Sequence, residues 1–113
     1  MIIGSHEGIV ATRLGLSGAP GAAEVVGVSR DIAIAELTGA RLHIAHVSTG
    51  AATELIREAK KRGARVTADV SPNHLLLTDE ALYGYDTLGK LVPPLRPRKD
   101  VDEVIAGLAD GTI

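Results

Sequence analysis

Two short apolar runs on either side of one amphipathic segment constrain the fold of this 113-residue chain more than any other feature. Residues 42–47 and 65–70 have the length and the branched side chains of buried strands, whereas residues 50–62 have helical periodicity. A helix between two parallel strands forms a crossover that is right-handed in almost every protein. The sequence therefore predicts an α/β fold with parallel strands and outer helices.

Two helices are predicted from apolar residues spaced three and four positions apart. The first begins near Ala22 and ends at Gly39, a residue suited to a left-handed C-cap. Ser48 and Thr49 can cap the second helix, which Gly63 ends. The apolar faces consist of Val25, Val28, Ile32 and Ala35 in the first helix and of Ala52, Leu55, Ile56 and Ala59 in the second.

The remaining segments are predicted to be loops, except for one short turn and a last helix. Glycine and proline make residues 4–21 an extended surface loop, and residues 71–74 a turn. A short helical turn is expected at residues 78–80, and a long loop without α-helix over residues 83–99. Asp100 followed by Glu103 predicts a carboxylate capping box for a helix whose apolar face is Val101, Val104, Ile105 and Leu108.

Composition excludes several classes of function. The net charge is −2 and the aromatic residues are two tyrosines, which argues against a nucleic-acid-binding surface. Without cysteine the chain has no disulfide and no thiolate zinc site. No apolar run approaches the roughly 20 residues of a membrane span, and no leader follows Met1, so we expect a cytoplasmic protein that does not contact membranes.

Two strands make an incomplete sheet, because both edges stay unpaired and one face stays bare. We therefore expect residues 1–113 to be a single segment of a larger barrel or sheet rather than a self-contained domain. Such a segment should form a homo-oligomer or associate with the remaining segments. A small, unrelated α/β binding domain is the alternative.

His46 is the main candidate for chemistry, because it ends an apolar strand where a helix begins. Parallel α/β folds place their functional residues at this point. A neutral imidazole there can bind a divalent metal or transfer a proton. A hydrogen-bonded structural histidine is the alternative. Since side chains alternate along a strand, His43 is expected on the opposite face, toward the helices.

Several strings of residues occur in a fixed order along the chain. They are Leu14-Gly15-Leu16-Ser17-Gly18-Ala19-Pro20, His46-Val47-Ser48-Thr49, Val66-Thr67-Ala68-Asp69-Val70-Ser71-Pro72-Asn73-His74-Leu75, Pro93-Pro94-Leu95-Arg96 and Gly107-Leu108-Ala109-Asp110-Gly111-Thr112-Ile113. Together they give the chain a resemblance to the bacterial dihydroorotases of the amidohydrolase superfamily. The string that begins at Pro93 is shared with the sister families, the allantoinases and dihydropyrimidinases, whereas the strings that begin at Leu14 and His46 favour dihydroorotase over these.

The resemblance implies a (β/α)8 TIM barrel, of which this chain covers roughly strands 6–7 and their flanking helices. It also implies a zinc site with one or two ions and a reaction of pyrimidine biosynthesis. That reaction interconverts dihydroorotate, by hydrolysis of its cyclic amide, with N-carbamoyl-L-aspartate. His46 matches the metal-binding histidine at the end of the sixth strand. Val92 stands where many relatives have a substrate-binding asparagine, and valine keeps only the backbone contact with substrate.

The family's other zinc ligands and its catalytic carboxylate have no counterpart in these residues. His6, His43 and His74 do not match the missing ligands, and His74 is expected to be a structural turn residue. Three protein ligands are the usual minimum for catalytic zinc. We therefore assign no catalytic residue here and expect the 113 residues alone to be inactive. For Arg96, binding of an anionic substrate and anchoring of a loop both stay open.

Two other functions are compatible with the resemblance. The first is that of a related cyclic amidohydrolase, an allantoinase or a dihydropyrimidinase. The second is that of a non-catalytic dihydroorotase-like subunit that acts as a scaffold for aspartate transcarbamoylase.

Overall fold

Two parallel strands and the helices that connect and flank them make up the fold. The computed structural model describes residues 20–84 and 93–113. The elements in chain order are α1 (Gly21–Thr38), β1 (Leu42–Ile44), α2 (Gly50–Lys61), β2 (Val66–Ala68), α3 (Pro72–Leu76), a 3-10 helix (Asp79–Gly84) and α4 (Arg98–Ala109). The predicted α/β class is confirmed, although each strand is only three residues long.

The sheet pairs β1 with β2 in parallel, with Leu42 opposite Val66 and Ile44 opposite Ala68. Helix α2, the crossover between the strands, packs against both α1 and α4. Burial of branched and small apolar side chains between these elements is the main stabilising term. The core consists of Val28, Ile32, Ile44, Val47, Ala52, Ile56, Ala59, Val66 and Val104.

The predicted ends of α1 and α2 are confirmed by their backbone geometry. Gly39 closes α1 in the left-handed region with a φ of 72°, and Gly63 follows α2 with a φ of 89°. At the start of α2, Thr49 Oγ1 accepts a hydrogen bond from the backbone N–H of Ala52 at 3.2 Å. Local chemistry is therefore sufficient to place these boundaries.

The predicted capping box of the last helix is wrong. Helix α4 begins at Arg98, after Pro97, and Pro97 makes no side-chain capping bond. Asp100 lies in the first turn, where its Oδ1 accepts the N–H of Gly50 at 2.9 Å, so its carboxylate serves the start of α2 instead. Of the predicted loop over residues 83–99, residues 85–92 lie outside the described part of the chain, residues 83–84 belong to the 3-10 helix, and residues 98–99 belong to α4.

The predicted apolar face of α4 is correct for two of its four residues. Val101 and Val104 are buried, whereas Ile105 and Leu108 are 42% and 46% exposed. The buried stripe continues to Gly107, which lies so close to Thr53 of α2 that a Cβ there would overlap the Thr53 methyl group. This close approach orients the helix so that Ile105 and Leu108 face outward.

A second close approach occurs where α2 begins. A Cβ at Gly50 would lie 2.7 Å from the Cβ of Glu103 on α4, closer than real Cβ atoms come. Because Cβ of Glu103 is fixed to the backbone of α4, it cannot move aside as the end of a flexible side chain can. The contact between α2 and α4 therefore depends on glycine at positions 50 and 107.

Residues 71–74 form the start of helix α3 rather than a simple turn, which corrects the prediction. Ser71 Oγ accepts the N–H of Asn73 at 3.3 Å, and Pro72 occupies the first helical position. Serine before proline is a favourable start for a helix, which explains the difference. The helical turn predicted at residues 78–80 is present as the start of the 3-10 helix.

The predicted loop over residues 4–21 lies outside the described residues up to position 19. Gly21, its last residue, belongs to α1. Within residues 20–84 and 93–113, no helix has both the length and the apolar character needed to cross a membrane.

Candidate functional site

His46 lies just beyond β1, at the carboxyl end of the sheet. The strand ends at Ile44, three residues earlier than predicted, but the backbone pairing continues: Asp69 donates to the carbonyl of Ile44 at 3.1 Å, and Val47 donates to the carbonyl of Asp69 at 2.9 Å. Between these bonds His46 has a φ of 59°, the only positive value for a non-glycine residue in the described part of the chain. This conformation costs about 1–2 kcal/mol for an L-residue.

The side chain of Asp69 compensates for this unfavourable conformation. Its Oδ1 accepts the backbone N–H of His46 at 2.8 Å, and its Oδ2 is 2.7 Å from Nε2 of His43. The hydrogen bond from His43, and then the one from the His46 backbone, lower the pKa of the Asp69 carboxyl below its usual value. Asp69 is therefore an ionised acceptor that holds two histidines of one chain segment.

The prediction that His43 faces the helices is wrong. His43 is exposed, and its ring contacts Asp69 through Nε2 and Thr67 Oγ1 through Nδ1, both at 2.7 Å. Ile44, the next residue, is the one buried against the helices. Strict alternation fails because the strand ends at Ile44 and His46 is left-handed, so His43 and His46 both approach Asp69.

The imidazole of His46 has the exposure and the geometry of a potential metal ligand. Its side chain is 64% exposed, and Nδ1 lies 3.5 Å from Oδ1 of Asp69. Neutral imidazole nitrogen is a common zinc ligand, and a carboxylate beside the other ring nitrogen is the usual second partner. Within residues 20–84 and 93–113, however, no group of three or more potential ligands is close enough together to hold a metal ion. The described residues thus fit zinc as the source of one ligand and do not form a complete site.

A second polar cluster joins α1 to the start of α2. The carboxylate of Glu24 accepts the N–H of Ser48 at 3.1 Å, the Ser48 hydroxyl at 2.8 Å, and the N–H of Thr49 at 2.9 Å. A carboxylate is favourable at a helix N-terminus, where backbone N–H groups lack partners within the helix. Sequence reasoning missed Glu24, since no local pattern links it to residues 24 positions away.

Arg96 adjoins this cluster and is 3% exposed. Its Nε donates to Ser48 Oγ at 3.0 Å, and the carboxylates of Glu24, Asp100 and Asp79 act on it electrostatically. Burial is the main effect on its pKa and lowers it. Of the two interpretations left open by the sequence, the structure supports the loop anchor.

His74 has a structural role, as predicted. It is 4% exposed, and its Nε2 donates to the carbonyls of Pro93 and Pro94 at 2.8 and 3.2 Å. This pairing fixes the proline-containing segment against α3. The predicted substrate contact at Val92, and His6, lie outside the described residues.

Comparison with curated proteins shows strong similarity to dihydroorotases. The dihydroorotase of Pelotomaculum thermopropionicum is 63% identical over 108 residues, and that of Caldanaerobacter subterraneus subsp. tengcongensis is 57% identical over 108 residues. Each match covers 96% of this chain and 25% of the relative. The resemblance drawn from the motifs is confirmed, and the chain spans about a quarter of the length of these relatives.

Comparison with solved structures shows that the arrangement of elements is shared as well. The crystal structure of dihydropyrimidinase from Brevibacillus agri NCHU1002 matches with a TM-score of 0.80 and 32% identity. The match covers 83% of this chain and 21% of that one. No protein-family model matches the chain.

Proposed function

We propose that this chain supplies one quarter of a dihydroorotase, in which His46 is one of the zinc ligands. The proposed reaction interconverts dihydroorotate and N-carbamoyl-L-aspartate by hydrolysis and re-formation of the cyclic amide. One observation carries the proposal: identity of 57–63% with two dihydroorotases over 96% of the chain. As part of a biosynthetic enzyme, the chain is expected to be cytoplasmic.

The proposed context is a (β/α)8 TIM barrel. A parallel βαβ unit with its helices on one side of the strands is the repeating element of such a barrel. In this chain the core lies between the sheet and the helices, while His43 and Thr67 are exposed on the other face. Further strands from the rest of the enzyme, on the same or another polypeptide, would pair with the edges and cover this face.

The position of His46 fits the chemistry of an amide hydrolase. Zinc, when bound, lowers the pKa of a coordinated water toward about 7 and polarises the substrate carbonyl. His46 would contribute a lone pair from its exposed imidazole, and the rest of the enzyme would contribute the other ligands. Since three protein ligands are usual for catalytic zinc, the 113-residue chain alone should not hydrolyse dihydroorotate.

A related cyclic amidohydrolase is the second candidate, because a dihydropyrimidinase has a closely similar arrangement of the same elements. The lower identity to that enzyme, 32% against 57–63%, favours dihydroorotase. A non-catalytic scaffold for aspartate transcarbamoylase is the third. It would bind the transcarbamoylase and leave the substrate unchanged even after the remaining barrel segments are supplied.

A chimera tests the proposal directly. Residues 1–113 replace the matching quarter of the Pelotomaculum thermopropionicum dihydroorotase, and this protein is named the segment chimera. It should hydrolyse dihydroorotate with a kcat/KM within about tenfold of its parent, and prefer dihydroorotate over dihydrouracil and hydantoin. His46→Ala should lower kcat/KM by at least about 100-fold. This loss is larger than the one expected for a residue that only hydrogen-bonds to a metal ligand.

Two controls complete the experiment. Lys99→Ala, whose parent side chain is 86% exposed, should leave activity unchanged. The separate 113-residue chain, verified as a single 11.7 kDa species by intact mass, should be inactive. A folded chimera that does not hydrolyse dihydroorotate, or in which His46→Ala is fully active, would contradict the proposal.

A further inference from the structure

The backbone around His46 is held from both sides by one residue of the neighbouring chain segment. Asp69 donates its N–H to the carbonyl of Ile44, accepts the N–H of Val47 at its carbonyl, and accepts the N–H of His46 at its side chain. Three consecutive links therefore fix the chain before, at and after His46. His46, whose backbone is in the left-handed region, lies between the bonded residues Ile44 and Val47.

Asp69 is itself oriented by a short chain of polar contacts. Its Oδ2 accepts from Nε2 of His43, and Nδ1 of His43 accepts from the hydroxyl of Thr67 when the ring is neutral. His43 lies opposite Thr67 in the strand register, so the sheet itself brings these two side chains together. The carboxylate is thus restrained at both oxygens.

Among the described residues, the His46 ring contacts Asp69 through Nδ1, which lies 3.5 Å from Oδ1, and the side chain is 64% exposed. Nε2 is the other ring nitrogen. Resting on the proposed function, we propose that Asp69 is a positioning residue that fixes the backbone and ring of His46 so that Nε2 is presented to a divalent metal ion. His43 and Thr67 hold Asp69 in that role.

The test measures zinc affinity in the segment chimera by competition with a chromophoric chelator. Asp69→Ala removes both the backbone acceptor and the charge, and should weaken zinc binding about 10- to 100-fold. Asp69→Asn keeps an oxygen for the His46 N–H and loses the charge, so it should weaken zinc binding about three- to tenfold. Asp31→Ala, on α1, is the control, since its parent side chain is 39% exposed and pairs with Arg30; it should bind zinc as the parent does.

Two further readouts separate positioning from a purely structural effect. The visible spectrum of the cobalt-substituted chimera should change in Asp69→Ala, because the geometry at the metal changes. The thermal midpoint of the metal-free protein should fall only slightly in Asp69→Ala, because one acceptor for the His46 backbone N–H is lost, whereas zinc affinity should fall at least about tenfold. If Asp69→Ala does not fold, Asp69→Asn decides the question.

The outcomes are distinct. In the first outcome, both Asp69 variants keep the zinc affinity and the cobalt spectrum of the parent, while His46→Ala no longer binds zinc. This result overturns the positioning role of Asp69 and leaves the proposed function standing. Unchanged zinc affinity in His46→Ala overturns both. A lower thermal midpoint with unchanged zinc affinity assigns Asp69 a structural role only, and also overturns the proposal.

Discussion

Arg96 donates from Nε to Oγ of Ser48 at 3.0 Å, and this bond joins the segment before α4 to the start of α2. Both residues are almost fully buried, at 3% and 2% exposure. The nearby carboxylates of Glu24 and Asp100 bind backbone N–H groups in the same region. Arg96 therefore places a positive charge beside these carboxylates, where residues of α1, α2 and α4 come together.

Removing this cation should strongly destabilise the protein. Arg96→Met is expected to lower the free energy of unfolding by about 3–5 kcal/mol, because the buried carboxylate of Asp79 and the half-buried ones of Glu24 and Asp100 lose the positive charge beside them. Arg98→Met, whose parent side chain is 61% exposed, is the matched control and should have little effect. Denaturant unfolding of the segment chimera measures both, and equal stabilities would contradict the role of Arg96.

A methyl group at Gly50 should destabilise the contact between α2 and α4. Gly50→Ala is expected to lower the free energy of unfolding by about 1–3 kcal/mol, since the new Cβ overlaps Glu103. Gly27→Ala is the control, because no atom lies within 4 Å of a Cβ there and the site is inside a helix. That variant should be more stable by up to about 1 kcal/mol. Thermal unfolding measures both variants, and thermal midpoints of Gly50→Ala and Gly27→Ala that shift in the same direction would contradict this explanation.

Lys60 should contribute more to stability than its neighbour Lys61. Lys60 Nζ donates to the carbonyls of Gly111 and Thr112 at 3.0 and 2.8 Å, whereas Lys61 contacts the exposed Glu58. Lys60→Met should cost about 1–2 kcal/mol, because charged hydrogen bonds to carbonyls are lost. Lys61→Met should be almost neutral. Parallel denaturant titrations compare the two variants.

Acid stability should depend on Asp110. Hydrogen bonds from Thr112, first from its hydroxyl and then from its backbone, lower the pKa of Asp110 from 3.8 to about 2, and Arg57 adds to the effect. Since the folded protein favours the ionised form, the resulting stability is present above about pH 4 and is lost as the pH falls through about 2. The difference in stability between the parent and Asp110→Asn should shrink over this interval.

The companion variants of this experiment test the cause of the shift. Thr112→Val removes the hydroxyl and should move the loss of stability to higher pH, whereas Thr112→Ser keeps both hydrogen bonds and should not. Unfolding measured at several pH values between 2 and 7 checks the three variants. A stability difference for Asp110→Asn that is constant over this range would refute the assignment.

Local features of the fold were predictable from the sequence, and long-range features were not. Gly39, Gly63 and Thr49 mark helix ends because their effects act within one turn of the chain. Asp100 has the same local chemistry, yet its carboxylate binds Gly50, 50 positions away. A sequence pattern shows that a capping residue is present but does not show which helix it caps.

The candidate site shows the same limit. The sequence indicates His46 because it ends an apolar run where a helix begins, and the structure puts it at the carboxyl end of the sheet with an exposed ring. The sequence does not predict that Asp69 contacts His46, nor on which face of the sheet His43 lies. Both features depend on the left-handed backbone at His46. A positive φ in a non-glycine residue has no reliable signal in one sequence.

The shared carboxylate also has an evolutionary consequence. Because His43 and His46 both contact Asp69, and Thr67 contacts His43, a substitution at any one of these positions changes the selective value of residues at the others. Lineages that replace Asp69 should therefore show accompanying replacements at 43 and 67, while the exposed neighbour Ala45 drifts independently. Residues 43, 46, 67 and 69 should therefore covary among relatives, although they come from two separate stretches of the sequence.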